Sequence, residues 1–212
     1  MPALLRQLPR SLKALAGVII LSFMANGVVS PFWVAYAVEQ LRFSSSQWGL
    51  ILLIETALRL VMFIPGGFLV DRWGRTVSLL SALLLALVSI PLFVFARSFT
   101  SVLLIRAAVA VASAIAIPAC TALMADMVPR KTRARVMAAL GQGGVMLGAV
   151  GGGTGGPGMG FLTTIPLMMA SLAGGYLYGQ NPAYPWLFVF ISTTISIILT
   201  MLFIRDPQIA EM

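Results

Sequence analysis

Residues 48–96 read WGLILLIETALRLVMFIPGGFLV, then DRWGRT, then VSLLSALLLALVSIPLFVFA. Two unbroken apolar runs are thus joined by a six-residue polar connector, residues 71–76. At 1.5 Å per helical residue, each run is long enough to cross the ~30 Å hydrocarbon core of a bilayer. A transmembrane barrel strand needs only ~10 residues and alternates apolar with polar, which these runs do not. Helices also satisfy their own backbone hydrogen bonds, as lipid demands. This stretch therefore reads as two transmembrane helices and a tight turn.

The rest of the chain repeats the pattern. Further apolar segments occupy residues 14–38, 102–127, 136–179 and 186–204. The chain has 212 residues, of which 59% are hydrophobic and only 9% charged, and its mean hydropathy is +0.99. A soluble domain carries about a quarter charged residues to face water. The fold class expected is all-α: a polytopic membrane protein with a six-helix bundle over residues 14–204, between a short N-terminal segment (1–13) and a short tail (205–212). The N-terminal apolar stretch is too long for the ~7–15-residue core of a secretory signal and is read as a retained first helix.

The net charge of +8 is distributed between segments, not gathered in one patch, which argues against a nucleic-acid partner. With the N-terminus in the cytoplasm, Arg6, Arg10, Lys13, Arg72, Arg75, Arg130, Lys131, Arg133, Arg135 and Arg205 fall inside and only Arg42 and Arg97 outside. That asymmetry follows the positive-inside rule and places both termini in the cytoplasm of a multi-pass cell-membrane protein.

Residues 136–179 are too long for one span. The decapeptide GGGTGGPGMG at 151–160 holds seven glycines and a proline, so a helix break is expected there. Residues 161–179 suffice for a span, whereas 136–150 do not and are expected at the cytoplasmic interface or as a half-helix inside the bundle. The overlapping G-x-G-x-x-G patterns within the glycine run lack the preceding strand of a dinucleotide site, so helix packing or a hinge is the simpler use.

There is no histidine, and Cys120 is the single cysteine. An internal disulfide is excluded, a Cys/His zinc site has no ligands, and no cofactor is expected. Without histidine or a close pair of intramembrane aspartates, an intramembrane enzyme is not expected either. No G-x-x-x-x-G-K-[ST] phosphate loop occurs, so any transport draws on a gradient or on another chain.

The connector, read with its flanks, is Gly67-Phe68-Leu69-Val70-Asp71-Arg72-Trp73-Gly74-Arg75-Thr76. It resembles the signature loop of the major facilitator superfamily, G-x-x-x-D-R-x-G-R-[RK], with Gly67, Asp71, Arg72, Gly74 and Arg75 matching and Thr76 in place of the last basic residue. The resemblance extends over about residues 12–207 and implies the amino-terminal six-helix half of such a transporter. It also implies a charge relay with an acidic residue ending helix four, here Asp126. Asp71, Arg75 and Asp126 are thus expected to form a cytoplasmic latch, the plainer reading being a helix-ending turn with positive-inside anchoring. Arg106 matches the arginine of a second family motif, although Ala110 stands where that motif has glycine.

Charges within spans normally face a partner or a watery cavity, because each costs ~2.5–3.5 kcal/mol at bilayer depth. Glu55 and Arg59 are four apart and share a helix face. By depth, Glu55 is countered by Arg59, by Arg106, or by both. Glu55, Arg59, Arg106 and Asn26 are the candidate substrate or ion-coupling residues, with a buried packing pair as the alternative for the charges. Ser22, Asn26 and Ser30 form a polar stripe on the first helix that faces either a solute or a neighbouring helix.

The function the resemblance implies is half of a secondary transporter working by alternating access. The sparsely charged interior and the intramembrane charges add the expectation of a small hydrophobic or amphipathic solute, ion or proton coupling and the direction of efflux. Its partners would be the solute, the lipid bilayer and a second six-helix half, on another copy or a separate chain. The alternative is a non-transporting membrane subunit or a degenerate half-transporter.

Overall fold

The computed structural model describes residues 9–129, 132–141, 143–148 and 159–206. Among them the regular elements are helical: α1 (Arg10–Val29), α2 (Phe32–Glu39), α3 (Ser45–Trp73), α4 (Arg75–Leu92) with a 3-10 turn (Phe93–Phe95), α5 (Phe99–Met127), α6 (Arg133–Leu140), α7 (Phe161–Gln180) and α8 (Tyr184–Phe203). Six stretches are long and apolar enough to cross a membrane, with α1 and α2 together making the first.

Local chemistry sets the ends. Ser44 caps α3 by accepting from the Gln47 backbone N–H, while the Gln47 side chain accepts from the Ser44 N–H. Ser98 and Ser101 form the equivalent box at the start of α5. Gly74, at φ +89°, separates α3 from α4 in a conformation that suits only glycine. The first span is expected as one helix over 14–38 but breaks at Ser30 and Pro31, because proline has no N–H to continue the ladder.

Packing places α5 between α3 and α4, and α8 between α4 and α1, with α7 against the other side of α1. Glycines permit the closest crossings. A Cβ on Gly66 of α3 would lie 2.5 Å from the Ala114 carbonyl of α5, and one on Gly174 of α7 would lie 2.4 Å from the Val28 carbonyl of α1. Helices in lipid gain little from hydrophobic exclusion, so such backbone approach supplies the packing.

The segment after α6 departs from expectation. The helix stops at Leu140, and residues 143–148 form neither a half-helix nor an interfacial one. They run as a non-helical strap between α1 and α5, from Met124 beside Gly143 to Val109 and Arg106 beside Gly148. Positive φ at Gly141, Gly143 and Gly148 breaks the helix, and Cβ atoms on Gly143 and Gly148 would meet Met124 and Val109 at 2.5 and 2.6 Å. Non-helical backbone at membrane depth is tolerated only where protein or a watery cavity satisfies it. Here Gly160 has returned to pack on Ala139 and Gly141 at the end of α6. Most of the expected break at 151–160 lies outside the described residues, as do residues 1–8, Arg130, Lys131 and the tail from 207. The next span begins at Phe161, as its length predicts.

Candidate functional site

Glu55 sits ten residues into α3, about 15 Å from its start. It is 3% exposed and accepts from two guanidiniums. Arg59, one turn on, donates from Nη2 to Oε1. Arg106 of α5, wholly buried, donates from Nε to Oε2 at 2.8 Å and also from Nη2. Its remaining nitrogen, Nη1, donates to the Gly148 carbonyl of the strap at 3.0 Å. The guanidinium carbon also stands 4.4 Å from the centre of the Trp33 ring, within the range where a ring face attracts a cation. One carboxylate and two arginines leave one excess positive charge inside the apolar layer. Both alternatives for countering Glu55 are therefore met at once, and the fork geometry of arginine allows it.

Asn26 of α1 is 6% exposed and faces the other edge of the strap. Its Nδ2 lies 3.6 Å from the Met146 sulfur, and its Oδ1 accepts from no donor among the described residues. Ser22, one turn earlier, accepts from the Met146 N–H at 3.1 Å. Asn26 also borders a cavity of about 490 Å³ between α1 and α7, which Ser30, Thr164, Leu167, Met168 and Ser171 help to line. That volume falls within the ~300–1,000 Å³ of small-molecule pockets. The stripe of Ser22, Asn26 and Ser30 thus borders a cavity and bonds to a non-helical strap where a solute or a neighbouring helix is expected.

At the opposite end of the bundle, Arg75 Nε lies 3.0 Å from Asp126 Oδ2, so two of the three expected latch residues meet. Asp71 does not join them: it is exposed and takes no part in an ion pair among the described residues. Arg72 is exposed too, and Gly67 faces open space on α3. The second carboxylate at this end is instead Asp206, which follows α8 and accepts from the Thr76 N–H at 2.9 Å and its hydroxyl at 2.8 Å. A carboxylate there satisfies an orphan donor at the start of α4. The non-basic Thr76 in the motif is the signal that could have found it. Arg133 closes the same end by donating to the Ala125 carbonyl at 2.6 Å.

No three metal-ligating side chains come together among the described residues. Six apolar span-length helices, with a salt-bridged charge cluster and a cavity among them, define a multi-pass membrane protein. The chain belongs to the Major Facilitator Superfamily, whose sequence profile matches residues 15–211. It is similar to two proteins of Bacillus subtilis, the uncharacterized MFS-type transporters YhjO and YxaM. Identity is 26% over 189 residues and 23% over 188, each covering 89% of this chain and 42% of the relative. The chain therefore spans about two-fifths of the length of the curated relatives it matches.

Proposed function

We propose that this chain forms one six-helix half of a secondary transporter of the cell membrane that moves a small amphipathic solute by alternating access. The observation that carries the reading is the Glu55–Arg59–Arg106 cluster, a buried charge centre one strap-width from a solute-sized cavity. Such charges in spans are expensive and mark solute or ion pathways. Family membership supports transport in general, and the relatives' greater length supports a second half that closes over the open side of the cavity.

Glu55 is the coupling carboxylate in this reading. Protonating it in the present state would leave Arg59 and Arg106 facing each other without a counter-charge, so uptake of a proton or cation requires Arg106 to move. Arg75, Asp126 and Asp206 hold the motif end of α4 to α5 and α8, and they open and close as a latch while the two halves rock. The motif end carries Arg72, Arg75, Arg133, Arg135 and Arg205 and faces the cytoplasm.

The test is gradient-driven flux in proteoliposomes. Glu55→Gln abolishes pH-driven solute movement, and Glu55→Gln with Arg59→Gln, which keeps the excess charge of the cluster unchanged, abolishes it as well. Unaltered flux in the folded double variant removes Glu55 from coupling. A second reading, a non-transporting membrane subunit, draws on the strap that fills the space between α1 and α5. Absence of any flux when the chain is joined with a second six-helix half selects it.

A further inference from the structure

The strap between α1 and α5 is held by side chains, not by its own backbone. Three consecutive residues contribute one group each. The Met146 N–H donates to Ser22 Oγ at 3.1 Å. The Leu147 carbonyl accepts from Ser113 Oγ at 3.0 Å. The Gly148 carbonyl accepts from Arg106 Nη1 at 3.0 Å. The partners come from two different spans, and all three are buried. Together they hold the Met146 N–H and two successive carbonyls, of Leu147 and Gly148, which the Gly148 N–H and Cα join.

The strap fits this site incompletely, in two respects. Asn26 Oδ1, on a side chain 94% buried by its 6% exposure, is left without a donor among the described residues, beside Met146. The Gly148 carbonyl is neutral, whereas Arg106 and Arg59 together exceed Glu55 by one positive charge. A carboxylate at the Gly148 carbonyl position would neutralise that excess and accept a stronger, charge-assisted bond from Arg106. An added N–H would satisfy Asn26, whose buried oxygen otherwise stays desolvated and unpaired. The 490 Å³ cavity that Asn26 also borders supplies room for the rest of a ligand.

We propose that Arg106 and Ser113 form a recognition site for the carboxylate and acyl carbonyl of an N-acylated amino acid, with Ser22 and Asn26 beside its acyl group, and that residues 147–148 occupy it as a tethered stand-in. The connectivity matches atom for atom. In an N-acyl amino acid the acyl carbonyl, N–H, α-carbon and carboxylate follow in the order of the Leu147 carbonyl and the Gly148 N–H, Cα and carbonyl. The acyl carbonyl takes the Ser113 proton, and the carboxylate takes Arg106 Nη1. The acyl chain points toward Asn26 and the cavity. Ligand entry displaces the strap. The inference rests on the transport reading only for what the ligand is for, because occupancy of the site is measurable without flux.

The experiment uses Val145→Cys, whose parent side chain is 3% exposed, in a Cys120→Ala background of the full chain in native membranes. The readout is the rate of labelling by N-ethylmaleimide during titration with N-acetylglycine. A tethered segment competes at an effective concentration on the order of millimolar, so the titration extends well above that range. The expected result is a saturable, several-fold rise in labelling, weaker with neutral N-acetylglycinamide and lost in Ser113→Ala. A flat rate overturns the proposal, as does an equal rise with the amide or in Ser113→Ala. Gly144→Cys, whose Cβ meets nothing within 4 Å, is a second reporter should Val145→Cys loosen the strap by itself. Displacement without flux removes transport and keeps the site, and flux without displacement removes the site alone.

Discussion

Arg106 donates in two directions, to the Glu55 carboxylate and to the Gly148 carbonyl, with Trp33 across its face. Removing one member of a buried ion pair leaves the other charged and desolvated, which costs about 3–5 kcal/mol. Arg106→Ala is therefore expected to lower unfolding stability in detergent by roughly that amount, since it also strips the Gly148 carbonyl of its donor. Arg106→Lys keeps the charge but not the planar fork, and recovers only part of the loss. A variant Arg106→Ala as stable as the parent would show that Arg59 alone suffices for Glu55. At this scale the sequence was informative where spacing is regular. Four-residue spacing pairs Glu55 with Arg59, and equal depth along the second and fourth spans, which run in the same direction, brings Arg106 level with them. Trp33, Gly148 and Asp206 have no such periodic signal. Their contacts depend on how the chain returns after a break, so they were not foreseen, and Asp71 was placed in a latch that Asp206 borders instead.

Neighbouring glycines near the end of α3 do different work. Gly66 faces α5 so closely that a Cβ would sit 2.5 Å from the Ala114 carbonyl, whereas a Cβ on Gly67 would meet nothing within 4 Å. Overpacking a tight contact typically costs about 1–3 kcal/mol, while relieving a helix of an interior glycine gains up to about 1 kcal/mol. Thermal unfolding should therefore separate the pair, with Gly66→Ala destabilised and Gly67→Ala neutral or stabilised. Equal effects would mean that α3 and α5 do not cross at Gly66. The six spans themselves were legible, because long apolar runs fix helices through a bilayer with little competition. Breaks were harder. Pro31 interrupts the first span at a point where hydropathy stays high, and the strap at 143–148 is apolar enough to read as a half-helix. Its glycines signal a break in the helix but not where the chain goes afterwards, which the buried partners on α1 and α5 decide.

Across the whole bundle, burial is uneven in a way that one layer of lipid does not require. The most apolar windows of α3 and α7 are only 17% and 22% buried, against 39–72% for the other four spans. Their outward faces carry Leu60, Ile64 and Phe68 on α3 and Met168, Leu172 and Tyr176 on α7, all more than 60% exposed. Both lipid and a second bundle can cover apolar surface. A second bundle, however, would also enclose the cavity between α1 and α7, which these two helices leave partly open. The relatives, more than twice as long as the stretch they share with this chain, have the length for such a half. Phe68→Cys and Met168→Cys, each in a Cys120→Ala background, are therefore expected to cross-link to a second six-helix bundle, on the same polypeptide or another, with a membrane-permeant maleimide–benzophenone reagent, which needs no thiol on the partner. Phe68 lies one turn from Asp71 at the basic end of the bundle, so an impermeant reagent added outside intact cells should leave its cysteine unmodified. Labelling with no cross-linked peptide, between chains or to another bundle of the same chain, would assign these faces to lipid, and reaction of Phe68→Cys from outside would reverse the orientation.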